Sequence, residues 1–398
     1  MKKMNPGSLC RMKGAAALRF FHLSDLHLGK RLGDLSLEED QRHILSQILA
    51  LTAQYQPDGI LIAGDVYDRS VPSVEAVNLL DDFLTRLAGM KTPVYLISGN
   101  HDSPQRLSFG GRLMEGQGIW IEGVLNGQAR RIQLKDAFGP LDLWLLPFFR
   151  AASVRPFFPD DTLEREQDAM KALLDALPLE PGRRNVLVCH QFITGGGTGP
   201  VTADSETIYV GGSDNIDSTL FEPFDYVALG HLHTPQWVGR PQVRYCGSPL
   251  KYSFSEAYRQ KSVTMVTLEE KGNITIEELP LTPLRDMRII KGPLHELTSP
   301  LVAAQADPND YLQVILTDEE ELLHPMDTLR QTYPNVLSLK FDNSRSRAAG
   351  LDPAAPEATQ RPLDLLFADF YAQQQGKPLE EEKLHLVRDI LNQLEEDA

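Results

Sequence analysis

Short apolar runs alternate with longer amphipathic stretches along the first hundred residues. The runs at Leu18–Leu23, Gly59–Ala63 and Val94–Ser98 have the length and composition of buried β-strands. Between them, Glu38–Gln54 and Val74–Ala88 place apolar residues at helical spacing. Strands that alternate with helices need crossover connections, so the pattern predicts an α/β fold with parallel strands.

The pattern becomes richer in strands toward the middle of the chain. Apolar runs at Asn185–Cys189 and Tyr226–Gly230 predict two more buried strands, and a helix is predicted near Thr162–Ala176. Three further strands are predicted in the segments QVRYC, SVTMVTLE and NITIEEL, which end near residue 279. We therefore expect one large α/β domain over residues 18–280.

The character of the chain changes after about residue 281. A strand at Tyr311–Asp318, a helix near His324–Tyr333 and a strand at Val336–Phe341 predict a small second α/β domain, a β-α-β unit, over residues 281–342. The Ala-, Pro- and Ser-rich residues 343–362 have the composition of a linker.

Two chain ends are predicted to lie outside these domains. Residues 363–398 contain two amphipathic helical segments, which are too short to bury their apolar faces against each other alone. They are expected to dock either on the parent domain or on another protein. Residues 1–17 are expected to be a disordered lead-in.

Composition and charge limit the possible functions. Among 398 residues, 42% are hydrophobic, and no run approaches the roughly 20 apolar residues that a membrane span needs. Three widely spaced cysteines favour a reducing compartment, and we expect a cytoplasmic protein with no membrane partner. The net charge of −16 argues against a simple basic nucleic-acid binder, because phosphate neutralisation needs Lys and Arg. Metal ions or a partner subunit would have to supply positive charge.

Polar side chains follow five of the predicted strands, at the point where each strand ends. Because ligands of parallel sheets bind beyond the carboxyl ends of the strands, these side chains are predicted to share one site. His231 and His233 are two residues apart and can point the same way from an extended segment, although a pair of unrelated loop histidines has the same pattern. The candidate metal ligands are Asp25, His27, Asp65, Asn100, His190, His231 and His233.

This set of imidazoles, carboxylates and an amide suits Mn²⁺, Fe²⁺ or Zn²⁺. A structural zinc site is disfavoured because no cysteine belongs to the set. Seven ligands exceed the need of one tetrahedral ion, but they suit two ions that share the carboxylate of Asp65. Two ions roughly 3.5–4 Å apart can clamp the attacking and leaving oxygens of a phosphoryl displacement.

The segments SDLHLG, GDVYDRS, SGNHD, CHQF and GHLH occur in this order. They resemble the five motifs of the calcineurin-like metallophosphoesterases over roughly residues 18–270. The resemblance implies a β-sandwich with αββα layers. It assigns Asp25, His27, Asp65 and His233 to a first metal ion. The residues that it assigns to a second ion are Asp65, Asn100, His190 and His231.

The same resemblance implies catalytic roles for two further residues. His101, beside a ligand, would be the general acid that protonates the leaving oxygen. Asp68 would orient this histidine, and a carboxylate partner fixes the tautomer of an imidazole. Related archaeal and eukaryotic nucleases carry histidine at the position of Asp68, so the resemblance leaves its role open.

Longer segments resemble the SbcD family of bacterial nuclease subunits over nearly the whole chain after residue 17. The clearest are HLSDLHLGKRLGDLSLEEDQRHIL, CGSPLKYSFSEAYRQKSV, PLTPLRDMRIIKGPLHEL and LDLLFADFYAQQQGKPLEEEKL. This resemblance implies a Mn²⁺-dependent exonuclease and endonuclease, with Mg²⁺ as the alternative ion. Its substrates would be double-stranded DNA ends and hairpins in repair, recombination and replication.

The SbcD resemblance also implies partners. The chain would form a homodimer and join two copies of SbcC, a coiled-coil ATPase, in a heterotetramer. Residues 281–342 would then be a capping domain that contacts DNA, and residues 363–398 would dock near the root of the coiled coil. Two alternatives stay open: a stand-alone phosphodiesterase or phosphatase acting on a small nucleotide, and a partner-binding scaffold with an inactive site.

Overall fold

The computed structural model describes residues 17–195, 199–206 and 215–344, together with positions 367, 368, 371, 379, 380, 383, 384 and 387. The chain divides into two compact units, Met1–Lys340 and Phe341–Ala398. The predicted lead-in, most of the linker and most of the helical tail fall outside the described residues, so these three expectations stay predictions.

The first of two large sheets contains six strands in the order β12-β11-β1-β2-β3-β4. Strands β1 to β4 are parallel to one another, whereas β11 pairs antiparallel with both β1 and β12. This sheet is therefore mixed, with a parallel half built from the amino-terminal part of the chain. Its strands are β1 (Leu18–Leu23), β2 (Gly59–Ala63), β3 (Val94–Ile97), β4 (Ile119–Glu122), β11 (Ser262–Leu268) and β12 (Ile274–Pro280).

The second large sheet also contains six strands, in the order β9-β10-β8-β7-β6-β5. Its centre is parallel, from β6 through β7 and β8 to β10, and antiparallel strands form both edges. Its strands are β5 (Arg130–Asp136), β6 (Gly139–Leu146), β7 (Arg184–His190), β8 (Tyr226–Gly230), β9 (Gln236–Val238) and β10 (Arg240–Tyr245).

The two sheets pack face to face, and alternation along each strand decides which layer a side chain joins. In β2, Leu61 and Ala63 belong to the core between the sheets, whereas Ile60 and Ile62 belong to the core beneath the outer helices. A third apolar core lies on the outer face of the second sheet. The result is a helix–sheet–sheet–helix sandwich, the layering that the family resemblance implies.

Three long helices cover the outer faces of the sandwich. Helices α1 (Glu38–Tyr55) and α2 (Val74–Gly89) bury apolar residues against the first sheet, and α3 (Glu166–Asp175) does so against the second. Helix α2 begins at Ser73, whose hydroxyl accepts a hydrogen bond from the amide of Ala76, a typical N-cap. These positions match the predicted helices to within about a turn.

A small parallel sheet follows the sandwich. Its strands, in the order β13-β14-β15, are Met287–Gly292, Tyr311–Leu316 and Val336–Phe341. Helix α4 (Pro325–Thr332) packs Leu329 into the small apolar core of this layer. The predicted β-α-β elements are present, and β13 is an additional strand that the apolar pattern did not predict.

This small sheet is attached to the sandwich through a buried carboxylate of helix α1. The Oδ2 atom of Asp40 accepts hydrogen bonds of 2.8 Å from both Arg285 and the hydroxyl of Tyr311. Lys251 makes a further ion pair with Asp286 at 2.7 Å. The small sheet is thus tied to the same compact unit as the sandwich.

The remaining elements are short. Within the described ranges, no helix has both the length and the apolar composition needed to cross a bilayer. Two-residue strands pair at Arg31–Leu32 with Leu35–Ser36 and at Ile193–Thr194 with Ile216–Asp217. Short α-helical turns occupy Pro104–Leu107, Gly111–Met114, Ala151–Val154, Leu294–Leu297 and Pro300–Ala303. Short 3₁₀ turns occupy Glu115–Gln117, Arg155–Phe157, Ser218–Phe221 and Phe254–Glu256.

Candidate metal centre

The five strand ends that the sequence singles out lie at one edge of the sandwich. Strands β1, β2 and β3 are parallel neighbours in the first sheet, and β7 and β8 are parallel neighbours in the second. Their carboxyl ends therefore face the same cleft. All seven predicted ligands lie there, and six of them are buried while Asn100 is half-buried.

The first group of ligand atoms comes from both sheets. The Nε2 atoms of His27 and His233 are only 3.1 Å apart, although the two residues are 206 positions apart in the chain. Asp25 belongs to the same group, and the Oδ2 atom of Asp65 lies 3.7 Å from His27 Nε2. These are the four residues that the sequence assigns to the first metal ion.

The second group surrounds the amide oxygen of Asn100. This oxygen lies 3.0 Å from His190 Nε2 and 3.1 Å from His231 Nδ1. Asp65 Oδ2 lies 3.4 Å from His190 Nε2, so the carboxylate of Asp65 reaches both groups. Asp25 also lies within reach of Asp65 and His190, and its contact with the second group was not predicted.

The backbone at this edge adopts an unusual conformation. Asp25, His27, Asp65 and His231 all have positive φ angles, of 52°, 43°, 48° and 103°. Non-glycine residues rarely adopt this region, and such conformations are concentrated at functional sites where surrounding contacts hold them. Four of the seven predicted ligands are therefore held in strained turns directly after their strands.

Glycines allow the two sheets to approach closely beneath the ligands. A Cβ atom on Gly64 or Gly230 would collide with the imidazole of His190, and one on Gly99 would collide with Asp65. Gly64 also has a φ of 84°, which disfavours any other residue. Close packing therefore requires glycine at these positions of three motifs, independently of any catalytic role.

Burial keeps three of the four histidines neutral. It lowers the pKa values of His27 and His233, and it lowers the pKa of His231 to about 3, with the nearby His190 adding to the effect. A neutral imidazole has one nitrogen with a free lone pair, the form that binds a cation. These three side chains are therefore in the right state to act as ligands near neutral pH.

Asp65 and His190 form a buried ion pair. Burial alone would raise the pKa of Asp65, but the charge of the adjacent His190 holds it well below its usual range. Burial would lower the pKa of His190, but Asp65 and Asp25 raise it to about 9. The two buried carboxylates thus need nearby positive charge, which a proton on His190 supplies here and divalent ions would supply equally well.

Burial raises the pKa of Asp25 to about 6, and the neighbouring Asp65 adds to the rise, although His190 and His27 oppose it. Its oxygens accept the amide of His231 at 3.1 Å and the hydroxyl of Ser24 at 2.5 Å. Two carboxylates, an amide oxygen and four imidazoles in one buried cleft are a donor set that fits a pair of divalent cations.

His101 lies at the rim of the cleft. Its amide donates to Asp65 Oδ1 at 2.9 Å, and its Nδ1 atom lies 3.0 Å from the backbone carbonyl of Asp68. The contact between residues 68 and 101 therefore exists, but it uses the carbonyl oxygen of Asp68 and not the carboxylate that the motif pattern predicts.

The carboxylate of Asp68 lies within 4.8 Å of a ring nitrogen of His101 and also contacts two other side chains. It lies 3.5 Å from His27 Nδ1 and 2.8 Å from the ammonium of Lys30. Burial alone would raise the pKa of Asp68, but the nearby imidazole of His27, together with the charge and the hydrogen bond of Lys30, holds it well below its usual range. Asp68 thus supports a predicted ligand through its side chain and His101 through its backbone.

Several residues support the ligands without belonging to the predicted set. Asp102 accepts the amides of Val66, Tyr67 and Gly99 at 2.9–3.1 Å and so braces two of the ligand-bearing turns. Ser205 and Glu206 contact His233 from a loop outside the five motifs. Glu256 lies behind them and is fully buried. Asp102 belongs to the SGNHD motif after a predicted strand, whereas Ser205, Glu206 and Glu256 lie outside the strand ends that the sequence singles out.

Comparison with protein families gives two matches along the chain. Residues 18–235 match the family described as calcineurin-like phosphoesterase. Residues 283–375 match a family described as type 5 capsule protein repressor C-terminal domain. The first match contains all seven candidate ligands, and the second begins shortly after the last strand of the sandwich.

Individual proteins are also similar to the chain. It is 34% identical over 341 residues to the D subunit of nuclease SbcCD from Staphylococcus epidermidis, a match that covers 83% of this chain and 87% of that protein. A dimetal phosphatase from Danio rerio shares 11% identity and a TM-score of 0.43 over 68% of this chain and 98% of its own. The protein TT1561 of Thermus thermophilus shares 11% identity and a TM-score of 0.35 over 66% of this chain and 99% of its own.

Proposed function

The chain belongs to the calcineurin-like phosphoesterases, in the branch of the SbcD nuclease subunits, and from this premise we propose that it hydrolyses DNA phosphodiester bonds with the help of two Mn²⁺ ions. The observation that carries the proposal is the convergence of seven donor side chains from five strand ends. Mg²⁺ is the alternative ion, and the test below distinguishes the two.

The residues divide between two ion positions. Asp25, His27, Asp65 and His233 would hold one ion, and Asp65 would bridge to the other. The second ion would be held by Asp65 together with Asn100, His190 and His231. Bound divalent ions would polarise the phosphate and promote ionisation of the attacking water. The spacing of His27 Nε2 and His233 Nε2, 3.1 Å, supports a shared target for these two imidazoles.

His101 would act as the general acid. Its Nδ1 atom faces the carbonyl of Asp68, and a carbonyl can only accept, so Nδ1 carries a hydrogen. The Nε2 atom is then the position from which a proton passes to the leaving oxygen. The amide of His101 is fixed to Asp65 Oδ1, which keeps the ring beside the bridging carboxylate.

Double-stranded DNA ends and hairpins are the proposed substrates, and an SbcC-like coiled-coil ATPase is the proposed partner. The net charge of −16 supports a need for this partner, because the 39 Lys and Arg residues of the chain are outnumbered by 55 Asp and Glu residues, which oppose the approach of phosphates. In this account residues 281–342 cap the cleft and contact DNA, and residues 363–398 dock on the ATPase. The complex would act in the cytoplasm.

The test uses a hairpin duplex with one labelled strand. The protein is incubated with Mn²⁺ or Mg²⁺, with and without the ATPase and ATP, and products are resolved by length. We expect cleavage with Mn²⁺ and a higher rate with the ATPase and ATP. Hydrolysis of a small nucleotide diester without any cleavage of the hairpin would instead identify a stand-alone phosphodiesterase.

Deleting residues 363–398 should abolish the stimulation by ATP and the ATPase. The same variant should still hydrolyse a small phosphodiester in Mn²⁺, because every proposed metal ligand lies before residue 234. The measurement is the ratio of hairpin cleavage rates with and without the ATPase and ATP, for the full chain and the truncated chain. An unchanged ratio would remove the proposed docking role of the tail.

Self-association through the amino-terminal half is the remaining part of the proposal. Large apolar side chains are exposed at the start of helix α2 and in the segment after residue 107, notably Val71, Val74, Phe109 and Leu113. Arg106 reaches the carbonyl of Ser70 at 3.4 Å, so the two segments are neighbours. Exposed apolar residues that cluster in this way are typical of an interface, here with a second copy of the chain.

Charged substitution at this surface should separate the subunits. For Phe109→Asp combined with Leu113→Asp, we expect a monomer in sedimentation experiments at a concentration where the natural chain is a dimer. Leu301→Asp is the matched control, because Leu301 is also highly exposed but lies in the small carboxyl-terminal sheet domain. A dimer that withstands the double substitution would place the interface elsewhere.

A further inference from the structure

A chain of three side chains lies behind the imidazole of His233, on the side away from the cleft. The hydroxyl of Ser205 lies 2.7 Å from His233 Nδ1 and donates to Glu256 Oε1 at 2.9 Å. Lys261 pairs with the other oxygen of Glu256 at 2.5 Å. None of these three residues belongs to the phosphoesterase motifs.

Glu256 acts only as a hydrogen-bond acceptor. Its side chain is fully buried and is held as a carboxylate by the ammonium of Lys261, which is itself buried. Oε1 also accepts the amide of Tyr252 at 3.1 Å and the hydroxyl of Ser253 at 3.0 Å. An ionised carboxylate has lone pairs but no hydrogen, so every group that contacts it must donate.

This requirement fixes the direction of the remaining bonds. Ser205 has a single hydroxyl hydrogen, and a hydrogen bond to a carboxylate is stronger than one to a neutral imidazole. The hydrogen therefore points to Glu256, and the Ser205 oxygen accepts from His233. His233 must then carry its hydrogen on Nδ1, which leaves the lone pair on Nε2, the atom 3.1 Å from His27 Nε2.

Glu256 cannot do this alone, because its Oε1 lies 3.9 Å from His233 Nδ1, beyond hydrogen-bonding distance. Ser205 spans the gap. The next residue, Glu206, accepts the backbone amide of His233 at 2.5 Å, and Lys261 donates to the backbone carbonyl of His233 at 2.7 Å. The backbone and the ring of His233 are therefore held from the same side by the same small group of residues.

We propose that Ser205, oriented by the buried Glu256–Lys261 pair, is a positioning residue that holds His233 in the tautomer needed to bind a cation through Nε2. The part of this inference that concerns cation binding rests on the proposed function, whereas the tautomer itself is a property of the metal-free protein. The two parts can be tested separately.

The tautomer is read by NMR of the full chain labelled with ¹⁵N-histidine and freed of metal. The His233 signals are assigned by their loss in His233→Gln. We expect the hydrogen on Nδ1 in the natural protein and in Ser205→Thr, which keeps the hydroxyl. In Ser205→Ala we expect a mixture of both tautomers. A natural protein with the hydrogen on Nε2 would overturn the inference without any variant.

Metal affinity is read by electron paramagnetic resonance of free Mn²⁺ during titration. Loss of an outer-shell partner of a metal-binding histidine costs about 10–100-fold in affinity, and we expect a loss in this range for Ser205→Ala and recovery in Ser205→Thr. Ser253→Ala is the matched control, because Ser253 donates to the same oxygen of Glu256 without touching His233. It should bind Mn²⁺ as the natural protein does.

The outcomes separate the two ideas. Unchanged tautomer and unchanged Mn²⁺ affinity in Ser205→Ala would overturn the positioning role while leaving the proposed function intact. An equal loss of affinity in Ser253→Ala would show that general weakening around Glu256 is responsible, and would also overturn it. If the unsubstituted protein bound no Mn²⁺, the proposed function would be refuted. The NMR experiment would then still decide whether Ser205 sets the tautomer of His233.

Discussion

Replacing His101 with alanine is expected to slow DNA cleavage by about 10²–10⁴-fold, the usual contribution of a general acid. Binding of Mn²⁺ should be nearly unchanged, because the imidazole of His101 is not among the proposed ligands. The loss should be much smaller for a diester with a good leaving group such as nitrophenolate, because that oxygen needs no proton. The measurement is the rate on both substrates at saturating Mn²⁺.

The comparison between the two substrates makes this prediction specific. Equal losses on DNA and on the activated diester would indicate that His101 supports the site structurally and does not transfer a proton. Undiminished cleavage of DNA would remove His101 from the mechanism. The hydrogen bond to Asp65 Oδ1 is donated by the backbone amide of residue 101 and is therefore retained in the variant.

Replacing Asp65 with asparagine is expected to have the largest effect on metal binding. Its carboxylate reaches both ligand groups, at 3.7 Å from His27 Nε2 and 3.4 Å from His190 Nε2. Loss of an outer-shell partner lowers metal affinity by about 10–100-fold. Because Asp65 would be a direct ligand of both ions, we expect its loss to lower Mn²⁺ affinity by more than about 100-fold. The rate of hairpin cleavage should fall by at least the same factor. The measurements are Mn²⁺ titration and hairpin cleavage.

The matched control is Asp58→Asn, at the opposite end of the same strand. Asp58 accepts the amide of Arg19 at 2.9 Å, a role that asparagine retains, and it lies far from the cleft along β2. We expect natural Mn²⁺ affinity in this variant. Two Mn²⁺ ions bound to Asp65→Asn with natural affinity would contradict the proposed bridge.

The parts of the fold that the sequence predicts best are those where burial is complete. Strand β2 is apolar along its whole length and fully buried, and its predicted and observed bounds are both Gly59–Ala63. The same is true of Tyr226–Gly230 in the second sheet. Each strand is parallel to its neighbours in its own sheet, so the residues that follow it, Asp65 and His231, were predicted to lie at the carboxyl edge of that sheet.

Three edge strands, β4, β5 and β9, were not predicted, whereas the edge strand β12 was, and β5 shows the physical reason. In Arg130–Asp136, four of seven residues are charged, and only Leu134 is buried. Its polar side chains are satisfied by ion pairs, such as that of Arg131 with Asp142 at 2.7 Å. Such a strand has little apolar signal, and its pairing depends on Gly139–Leu146, which lies beyond a tight turn.

The residues that support His233 from behind could not be predicted from the sequence either. Ser205, Glu256 and Lys261 are separated by up to 56 positions and follow no strand, so only the folded chain brings them behind His233. The side chain of Asp68 illustrates the same limit. Its carboxylate lies within 4.8 Å of a ring nitrogen of His101, but the sequence did not indicate its contacts with His27 and Lys30.

Anomalous scattering from crystals soaked in Mn²⁺ tests the central claim most directly. The account predicts two peaks roughly 3.5–4 Å apart, with the carboxylate of Asp65 contacting both. One peak should lie beside His27 and His233, and the other beside Asn100, His190 and His231. Crystals of folded protein with no peak beside Asp65, or with a single peak that leaves one of these groups empty, would contradict it.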